Sequence, residues 1–438
     1  MLDDMSFSVV ECFEKGLEKQ ISLSNITAYV IEEMKDVYEV ADLQEVCDEL
    51  HSLIKEKKLF VDDEYEDYIA SITKRKTVVK ALCLHIAHDC NLACKYCFAE
   101  EGEYHGRRAL MSYEVGKKAI DFLIENSGNR KNLEIDFFGG EPLMNWDVVK
   151  ELVAYGRSKE EKCNKHFRFT LTTNGVLLND EIQEFANREM DNVVLSLDGR
   201  KEKNDYMRPF RNGCGSYDHI VPKFQKLANS RNQERYYIRG TFTRNNLDFA
   251  KDIYKFDELG FKQMSMEPVV ASKEDVYAIR EEDLPEIFDE YDELAKYLIA
   301  KEKQGEGFNF FHFMLDLEGG PCVAKRLSGC GAGTEYLAVT PWGDFYPCHQ
   351  FVGKEEFIMG TVDTGVITPE IVDTFKGCNV YTKEKCKNCF AKFYCSGGCM
   401  ANSQNFHGTI YDTYEIGCKM QRKRVECAIM IQAALAES

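Results

Sequence analysis

The sequence predicts an α/β protein built around a partial (β/α)6 TIM barrel. From Val78 onward, short apolar runs alternate with amphipathic helical patterns, which is typical of βαβ units and a parallel sheet. Six such repeats are too few for a closed eight-stranded barrel. The alternation is absent from the N-terminal part, and it ends near residue 305, where the cysteine density rises. We therefore predict three domains, at residues 1–76, 77–305 and 306–438.

The predicted strands and helices of the barrel follow each other along the chain. The strands are expected near residues 79–88, 133–138, 166–173, 192–197, 235–243 and 262–268. The helices are expected near residues 113–126, 147–162, 180–189, 216–229, 248–258 and 281–304.

The N-terminal segment is predicted to form a separate winged-helix-like domain. Its stretch "FSVVECFEK" favours a strand, whereas "LSNITAYVIEEM" and "ADLQEVCDELHSLIKEKKLF" have helical spacing. The charged stretch "DDEYEDYIASITKRK" marks its boundary. Winged-helix domains often bind DNA, but the acidity of this one argues against that role.

The composition limits the classes of function. Apolar residues make up 44% of the 438 residues, which is enough for a sizeable core. Lys and Arg total 55 against 74 Asp and Glu, and this net charge of −19 argues against a nucleic-acid partner. No apolar run approaches the roughly 20 residues that span a membrane. The start "MLDDMSFSVVECFEKG" has no secretion signal, so we expect a cytoplasmic protein without a membrane partner.

Eighteen cysteines in a cytosolic protein indicate metal or redox chemistry, because disulfides are rare in a reducing compartment. Cysteines without a close partner in sequence are expected to be buried small apolar residues. These are Cys12, Cys47, Cys83, Cys163, Cys214, Cys378 and Cys427.

Five unusual stretches follow predicted strands. Cys90, Cys94 and Cys97 follow the first strand with C-x3-C-x2-C spacing, and "GGEP", "TTNG", "SLDG" and "MEP" follow or end later strands. In an α/β barrel these strand ends meet at one mouth, which holds the active site. Three thiolates can hold three irons of a cubane cluster and leave the fourth open to a small molecule. Asp198 and Glu267 at this mouth are candidates for polar contacts with a substrate.

The C-x3-C-x-aromatic-C motif together with "GGEP" resembles the radical S-adenosylmethionine (SAM) family. The resemblance implies a [4Fe–4S] cluster whose open iron binds the amino and carboxylate groups of SAM, and a 5′-deoxyadenosyl radical that abstracts a substrate hydrogen. It also implies cofactor contacts: Tyr96 on the nucleobase, Gly139, Gly140 and Glu141 on the ammonium, Asn174 and Ser196 on the ribose or amino acid portion, and Arg208 on the carboxylate. The alternative for the cysteines is a zinc site.

Seven cysteines of the C-terminal region resemble the SPASM domain of peptide-modifying radical SAM enzymes. The resemblance implies two auxiliary [4Fe–4S] clusters, and so three clusters in all. The implied ligands are Cys330, Cys348 and Cys399 for the first, and Cys386, Cys389, Cys395 and Cys418 for the second. An eighth ligand is either Cys322 or a substrate thiolate, and we favour the open site. The alternative is a structural zinc lobe, while His349 and His407 are more typical of polar or surface residues.

The first 76 residues resemble the recognition element of enzymes that modify ribosomally made peptides, in which a leader peptide adds a strand to a small sheet. The alternative is a dimerisation or packing domain. Taken together, the chain is similar to the maturases of six-cysteine (SCIFF) peptides. That resemblance implies an enzyme that forms thioether bonds from a cysteine sulfur to a carbon, usually of threonine. Its implied partners are a precursor peptide with a leader and an external low-potential electron donor of the flavodoxin or ferredoxin type.

Three other functions remain open from the sequence. Another radical SAM peptide modifier, which forms formylglycine or carbon–carbon crosslinks, would share every metal motif. A zinc-dependent DNA-binding regulator would need a local basic face. An electron-transfer protein would explain the cysteines but not "GGEP" or the three-cysteine site.

Overall fold

The structure is a computed structural model that describes residues 3–61, 63, 65–74, 76–104, 106–317 and 322–436. The chain divides into two compact units, Met1–Ile69 and Ala70–Ser438. Each unit has a buried apolar core of its own.

The first unit is helical in its described residues. Its helices are α1 (Asp4–Glu18), α2 (Leu23–Met34), α3 (Val40–Lys55) and α4 (Tyr65–Lys74), the last of which continues into the second unit. Apolar side chains of α1, α2 and α3 form one core that includes Phe13, Val30 and Leu50.

The strand predicted for "FSVVECFEK" is wrong, because this segment lies in α1. Val9, Phe13 and Gly16 recur with helical spacing and are buried, and the Asp3 carboxylate accepts a hydrogen bond from the Ser6 N–H at 2.7 Å. This periodicity outweighs the β preference of the valines. The described residues of the unit contain no strand, so they do not form the small sheet of a winged-helix-like domain. A leader peptide would find no edge strand to pair with among these residues.

The second unit is built on one sheet. Its strands are β1 (Ala81–His88), β2 (Ala109–Leu110), β3 (Asn132–Gly139), β4 (His166–Thr173), β5 (Asn192–Ser196), β6 (Tyr236–Phe242), β7 (Gln263–Pro268), β8 (Asn309–Phe310), β9 (Tyr336–Val339), β10 (Asp344–Tyr346), β11 (Gly360–Thr361) and β12 (Gly365–Val366). Across the sheet the order is β12-β11-β10-β9-β1-β3-β4-β5-β6-β7-β8, and β2 pairs with β1. The pairs from β9 through β1 to β8 are parallel, which confirms the predicted α/β fold with a parallel sheet.

Helices of the second unit connect these strands and follow the sheet. They are α5 (Tyr113–Asn126), α6 (Trp146–Cys163), α7 (Asp180–Glu189), α8 (Lys201–Met207), α9 (Tyr217–Ser230), α10 (Ala250–Glu258), α11 (Leu284–Lys303), α12 (Val323–Ser328), α13 (Pro369–Gly377), α14 (Glu384–Lys387), α15 (Lys392–Cys395), α16 (Met400–His407) and α17 (Glu415–Ala436). The six predicted barrel strands and six predicted barrel helices all coincide with observed elements, with ends shifted by at most a few residues.

The two faces of the barrel strands differ in polarity. In β6, Tyr236, Ile238 and Phe242 belong to the large apolar core, whereas Arg239 on the opposite face is exposed. The same alternation in β7 buries Met264 and Met266 in that core. The inner face of the barrel is therefore free to carry polar groups.

The C-terminal region extends the barrel sheet, which the sequence pattern does not predict. Strand β9 pairs in parallel with β1, and β10, β11 and β12 continue from it as an antiparallel edge. Helix α17 packs on α11, where Lys423 Nζ lies 2.6 Å from the Asp292 carboxylate and Arg424 Nε donates to the Tyr291 hydroxyl at 2.8 Å. Among the described residues, no helix has the length and apolar character needed to span a bilayer.

Candidate active site

The three cysteines of the first motif lie in the loop that follows β1. The N–H groups of Ala93 and Lys95, on either side of Cys94, donate at 2.9 Å to the two carbonyls that flank Arg208. This pairing places the arginine beside the cysteine. Burial raises the pKa of the Cys94 thiol to about 11, although the Arg208 guanidinium acts in the opposite direction.

A cavity of about 160 Å³ lies between this loop and the ends of the neighbouring strands. Most of the residues predicted for the first cluster and for SAM line it: Cys90, Cys94, Cys97, Tyr96, Gly139, Gly140, Asn174, Ser196 and Arg208. Within the predicted set, only Glu141 lies outside this lining. The structure thus brings together residues that are more than 100 positions apart in sequence.

The two glycines of "GGEP" allow a close backbone approach. Gly139 has φ +116°, and a Cβ on it would lie 2.4 Å from the carbonyl oxygen of Ala87. A Cβ on Gly140 would lie 2.1 Å from the carbonyl oxygen of Asp89. This approach allows two backbone hydrogen bonds. The Gly140 N–H donates to the Ala87 carbonyl at 2.7 Å, and the Glu141 N–H donates to the Asp89 carbonyl at 2.9 Å. Only glycine fits both positions, since the contacts are with backbone.

Glu141 is fully buried and joins two strand ends. Its carboxylate accepts hydrogen bonds from the Thr173 hydroxyl at 2.8 Å, the Asn174 N–H at 2.8 Å and the Leu143 N–H at 3.0 Å. Burial raises its pKa to about 7, against the lowering effect of these bonds. A carboxylate has about four acceptor positions, so one remains for a further donor.

Asn174 and Ser196 lie at the carboxyl ends of adjacent parallel strands. The Asn174 side-chain amide donates to the Asn91 side chain at 2.8 Å and lies 3.5 Å from the Cys90 sulfur. Ser196 ends β5 and faces the cavity. Asn174 therefore fixes the position of the cysteine loop as well as lining the cavity.

Tyr96 links a buried arginine to a buried carboxylate. Its hydroxyl accepts from Arg208 Nη1 at 2.9 Å and donates to Asp198 Oδ2 at 2.6 Å. Burial raises the pKa of Tyr96 well above its ordinary value and also raises the pKa of Asp198. Another nitrogen of this guanidinium, Arg208 Nε, is buried without a hydrogen-bond partner. A buried unsatisfied donor of this kind suits an anionic ligand group.

The residues fit a cubane cluster with SAM. In the described part of the chain, no group of three or more His, Cys, Asp or Glu converges to hold a single metal ion. A cubane attaches each thiolate to a different iron, so its ligands surround a volume, as the three thiols do around the cavity. Arg208 has a free donor for the SAM carboxylate, and the two glycines bring the backbone of the cysteine loop close to the end of β3. The bound cofactors would supply one-electron chemistry that breaks unactivated C–H bonds.

Four C-terminal cysteines surround a second cavity, of about 280 Å³. Its lining includes Cys386, Cys389, Cys395 and Cys418, the ligands predicted for the second auxiliary cluster. Burial raises the pKa of Cys386 to about 12 and that of Cys395 to about 11, and the neighbouring thiols add to both shifts. Metal binding at this site must therefore displace protons.

The ligands predicted for the first auxiliary cluster also lie together. Burial raises the pKa of the Cys348 thiol, and Cys399 and Cys330 contribute to that shift. Cys322 is exposed at the N-terminus of α12. The choice between this cysteine and an open iron stays a prediction.

Lys383 is a functional candidate that the sequence reasoning missed. Its side chain is buried, and Nζ donates to the carbonyl of Gly397 at 2.9 Å. It lowers the pKa of Cys386 and of Cys399, which belong to the two different cysteine groups. No spacing rule identifies such a lysine, because it is placed by the fold of the loops.

The seven cysteines without sequence partners mostly follow the expectation of burial. Cys47, Cys83, Cys378 and Cys427 are buried, and Cys12 and Cys163 are half-buried. The expectation is wrong for Cys214, which is exposed in the turn before α9.

Comparison with known proteins identifies the barrel. Residues 84–240 match the model of the radical SAM superfamily. The chain therefore contains a radical SAM domain. This family uses SAM and a [4Fe–4S] cluster, in agreement with the cavity of the three cysteines.

Curated relatives match different lengths of the chain. The "Uncharacterized protein MJ0907" of Methanocaldococcus jannaschii is 36% identical over 31% of this chain and 44% of its own length, so less than half of that relative is covered. The "Radical SAM cyclopropyl synthase TigE" of Paramaledivibacter caminithermalis is 23% identical over 76% of this chain and 70% of its own.

Solved structures share the fold beyond the barrel. The structure of anSMEcpe with bound AdoMet and Cp18Cys peptide is similar, with a TM-score of 0.65 and 20% identity. The similarity covers 82% of this chain and 99% of that one. At this identity it bears on the fold alone.

Replacing Cys90, Cys94 and Cys97 together with Ala should lower the iron content of the reconstituted protein by about four Fe per chain and abolish SAM cleavage. Iron assay and chromatography of 5′-deoxyadenosine measure the two effects. Replacing Cys12, Cys163 and Cys214 with Ala is the matched control and should change neither. Unaltered iron and cleavage in the first variant would contradict the assigned ligands.

Gly140→Ala should raise the dissociation constant for SAM at least about tenfold and lower the free energy of unfolding by about 1–3 kcal/mol, because its Cβ meets the Asp89 carbonyl. Calorimetry and thermal unfolding measure these effects. Gly106→Ala is the control, since its nearest neighbour would lie at an ordinary 3.4 Å. Equal changes of the SAM dissociation constant and of the free energy of unfolding in both variants would contradict a role for the close backbone approach at Gly140.

Proposed function

We propose that the protein is a radical SAM enzyme that joins cysteine sulfurs to carbon atoms of a ribosomally made, cysteine-rich precursor peptide, with threonine as the acceptor. The observation that carries the proposal is the division of ten cysteines into three groups, one in the radical SAM domain and two beside it. Peptide ligands of similar proteins support it, since anSMEcpe is described with a bound Cp18Cys peptide.

The proposed reaction is balanced without a further oxidant. One C–H bond and one S–H bond of the peptide break and one C–S bond forms, while SAM is converted into methionine and 5′-deoxyadenosine. The hydrogen atom from carbon ends on 5′-deoxyadenosine, and the thiol proton is released. One electron enters from an external flavodoxin- or ferredoxin-type donor, and one electron would leave to an iron–sulfur cluster held by the auxiliary cysteine groups.

The residues around the cavity position the reactants. Cys90, Cys94 and Cys97 hold the cluster, and Arg208 binds the SAM carboxylate through the Nε that has no partner in the protein. Tyr96 keeps this arginine in place through its link to Asp198. Glu141 acts from behind the cavity wall, where its buried carboxylate holds Thr173 and Asn174 in place. No acid or base is needed for C–H cleavage.

The auxiliary groups bind two further [4Fe–4S] clusters. Cys386, Cys389, Cys395 and Cys418 provide four thiolates for one of them. Cys330, Cys348 and Cys399 provide three for the other, which would leave one iron open to a thiolate of the substrate. Such a cluster would supply deprotonation of the bound thiol, because the thiolate is the form that binds metals. The chemistry and the eighteen unpaired cysteines both favour a cytoplasmic location.

The helical N-terminal unit is proposed to recognise the leader of the precursor. One face of α3 carries Glu45, Asp48, Glu49 and Leu53, and all four side chains are exposed. This acidic face suits a basic leader segment with an apolar side chain.

The decisive measurement is mass spectrometry of a short cysteine-rich peptide chosen from the reading frames next to this protein's gene. The reconstituted, reduced protein is incubated with this peptide and SAM without oxygen. Loss of two hydrogens per site, with cysteines that no longer react with an alkylating agent, is the expected result. A formylglycine or carbon–carbon product would leave radical peptide modification in place and refute thioether formation. An unchanged peptide with accumulating 5′-deoxyadenosine would refute this substrate.

Changing Glu45 and Glu49 to Gln and Asp48 to Asn in one variant should weaken binding of the leader half of that peptide about tenfold or more, because this face of α3 loses its negative charge. SAM cleavage without peptide should be unaffected. Fluorescence anisotropy measures the affinity. The control changes three exposed acids of α1, namely Glu11, Glu14 and Glu18, to Gln. Equal affinity in the two variants would refute the acidic face of α3 as the leader site.

A further inference from the structure

An oppositely charged pair lies on the inner wall of the barrel, beside the cavity that the three cysteines line. Ser196, which faces this cavity, is the register partner of Arg239 on β6, and Thr241 is the register partner of Glu267 on β7. Register partners in a parallel sheet point to the same face. Arg239 therefore lies one strand away from Ser196 on the cavity wall, and Glu267 lies two strands away on the same face.

Arg239 has donors to spare. It is flanked in β6 by buried Ile238 and Gly240, yet its own side chain is 52% exposed. Its ion pair with Glu267 has an N–O distance of 3.9 Å, which is too long for a hydrogen bond. A guanidinium has five N–H donors in a fixed plane. A half-exposed arginine on the inner face of a barrel strand is thus available to a ligand.

Glu267 has acceptors to spare. Its carboxylate is 30% exposed, and its distance to His312 Nε2 is 3.5 Å, also longer than a good hydrogen bond. Behind it lies Arg424, which is 7% exposed and whose Nη2 has no hydrogen-bond partner. Burial disfavours the charged form of Glu267, but His312, Arg424 and Arg239 lower its pKa to about 2. The group is therefore a carboxylate at neutral pH.

We propose that Arg239 and Glu267 bind the backbone of an extended stretch of the peptide substrate, with Arg239 donating to the carbonyl oxygen and Glu267 accepting from the N–H of one residue. In an extended chain, the N–H and C=O of one residue point to the same side, as they do between paired strands. A donor and an acceptor side by side match this pattern. The inference rests on the proposed function, because it requires a peptide substrate.

This subsite would hold the peptide by its main chain next to the reaction cavity. Backbone contacts place little demand on side chains, so different residues can be presented to the cavity in turn. A carboxylate side chain of the peptide fits less well, because Glu267 would repel it at the same place.

The test measures binding of the same cysteine-rich peptide, labelled with fluorescein, to the reconstituted full-length protein with SAM present. Arg239→Gln and Glu267→Gln should each raise the dissociation constant about tenfold or more, since each removes a charge-assisted hydrogen bond. Iron content and SAM affinity should stay at wild-type values. Arg168→Gln is the matched control, because Arg168 lies at the other end of the inner face, is 55% exposed and is 3.7 Å from Glu134. It should leave peptide affinity unchanged.

Peptides carrying a single backbone N-methyl group at successive positions identify the contact. The wild-type protein should lose affinity for one or two neighbouring N-methyl peptides. Glu267→Gln, whose neutral amide oxygen is a weaker acceptor, should discriminate less against them, and Glu267→Leu, which has no acceptor, should not discriminate at all. If the loss in Arg239→Gln were instead reproduced by changing one acidic residue of the peptide to its amide, the arginine would bind a side chain and the inference would be wrong. Wild-type affinity in Arg239→Gln would also overturn it while leaving the proposed function intact. A wild-type protein that binds and modifies none of these peptides would overturn the proposed function itself.

Discussion

The close backbone approach between the ends of β1 and β3 is the constraint on which the candidate site depends. Two hydrogen bonds, from the N–H of Gly140 to Ala87 and from the N–H of Glu141 to Asp89, join the loop of "GGEP" to the start of the cysteine loop. The absence of a Cβ at both glycines makes this spacing possible. As a result, the three cysteines and the ends of the neighbouring strands face one small cavity.

Buried charge around this cavity is organised as a connected network. Arg208 and Asp198 are both almost fully buried, and Tyr96 joins them through its hydroxyl. Such groups are costly to bury alone and are tolerated when paired and hydrogen-bonded. The unsatisfied Arg208 Nε is the exception in this network, and it marks the position where an anionic ligand would complete it. Lys383 plays a comparable part between the two C-terminal cysteine groups, where it offsets thiolate charge.

The sheet connects the radical SAM domain to the C-terminal cysteines. Strand β9 pairs with β1, so the strand that leads into the first cysteine motif is flanked by β3 on one side and by the C-terminal region on the other. Cys348 follows directly after the β9–β10 hairpin. The segment around Cys348 is therefore connected through β10 and β9 to β1, the strand that precedes the first cysteine motif. In this way the sheet joins the first cysteine motif and Cys348 to one shared strand.

The sequence by itself determined the barrel elements and the cysteine groups. Both rest on short-range patterns: short apolar runs between helical periods for β1 and for β3 to β7, and fixed spacing for the motif of Cys90, Cys94 and Cys97. Local spacing failed in α1, where valines favour a strand but the buried residues Val9 and Phe13 follow a helical period. Only the tertiary structure decided which distant side chains meet. The link of Arg208 to Tyr96 and the juxtaposition of Arg239 with Glu267 depend on strand register and on loop packing, which join residues far apart in the chain and leave no periodic signal in it.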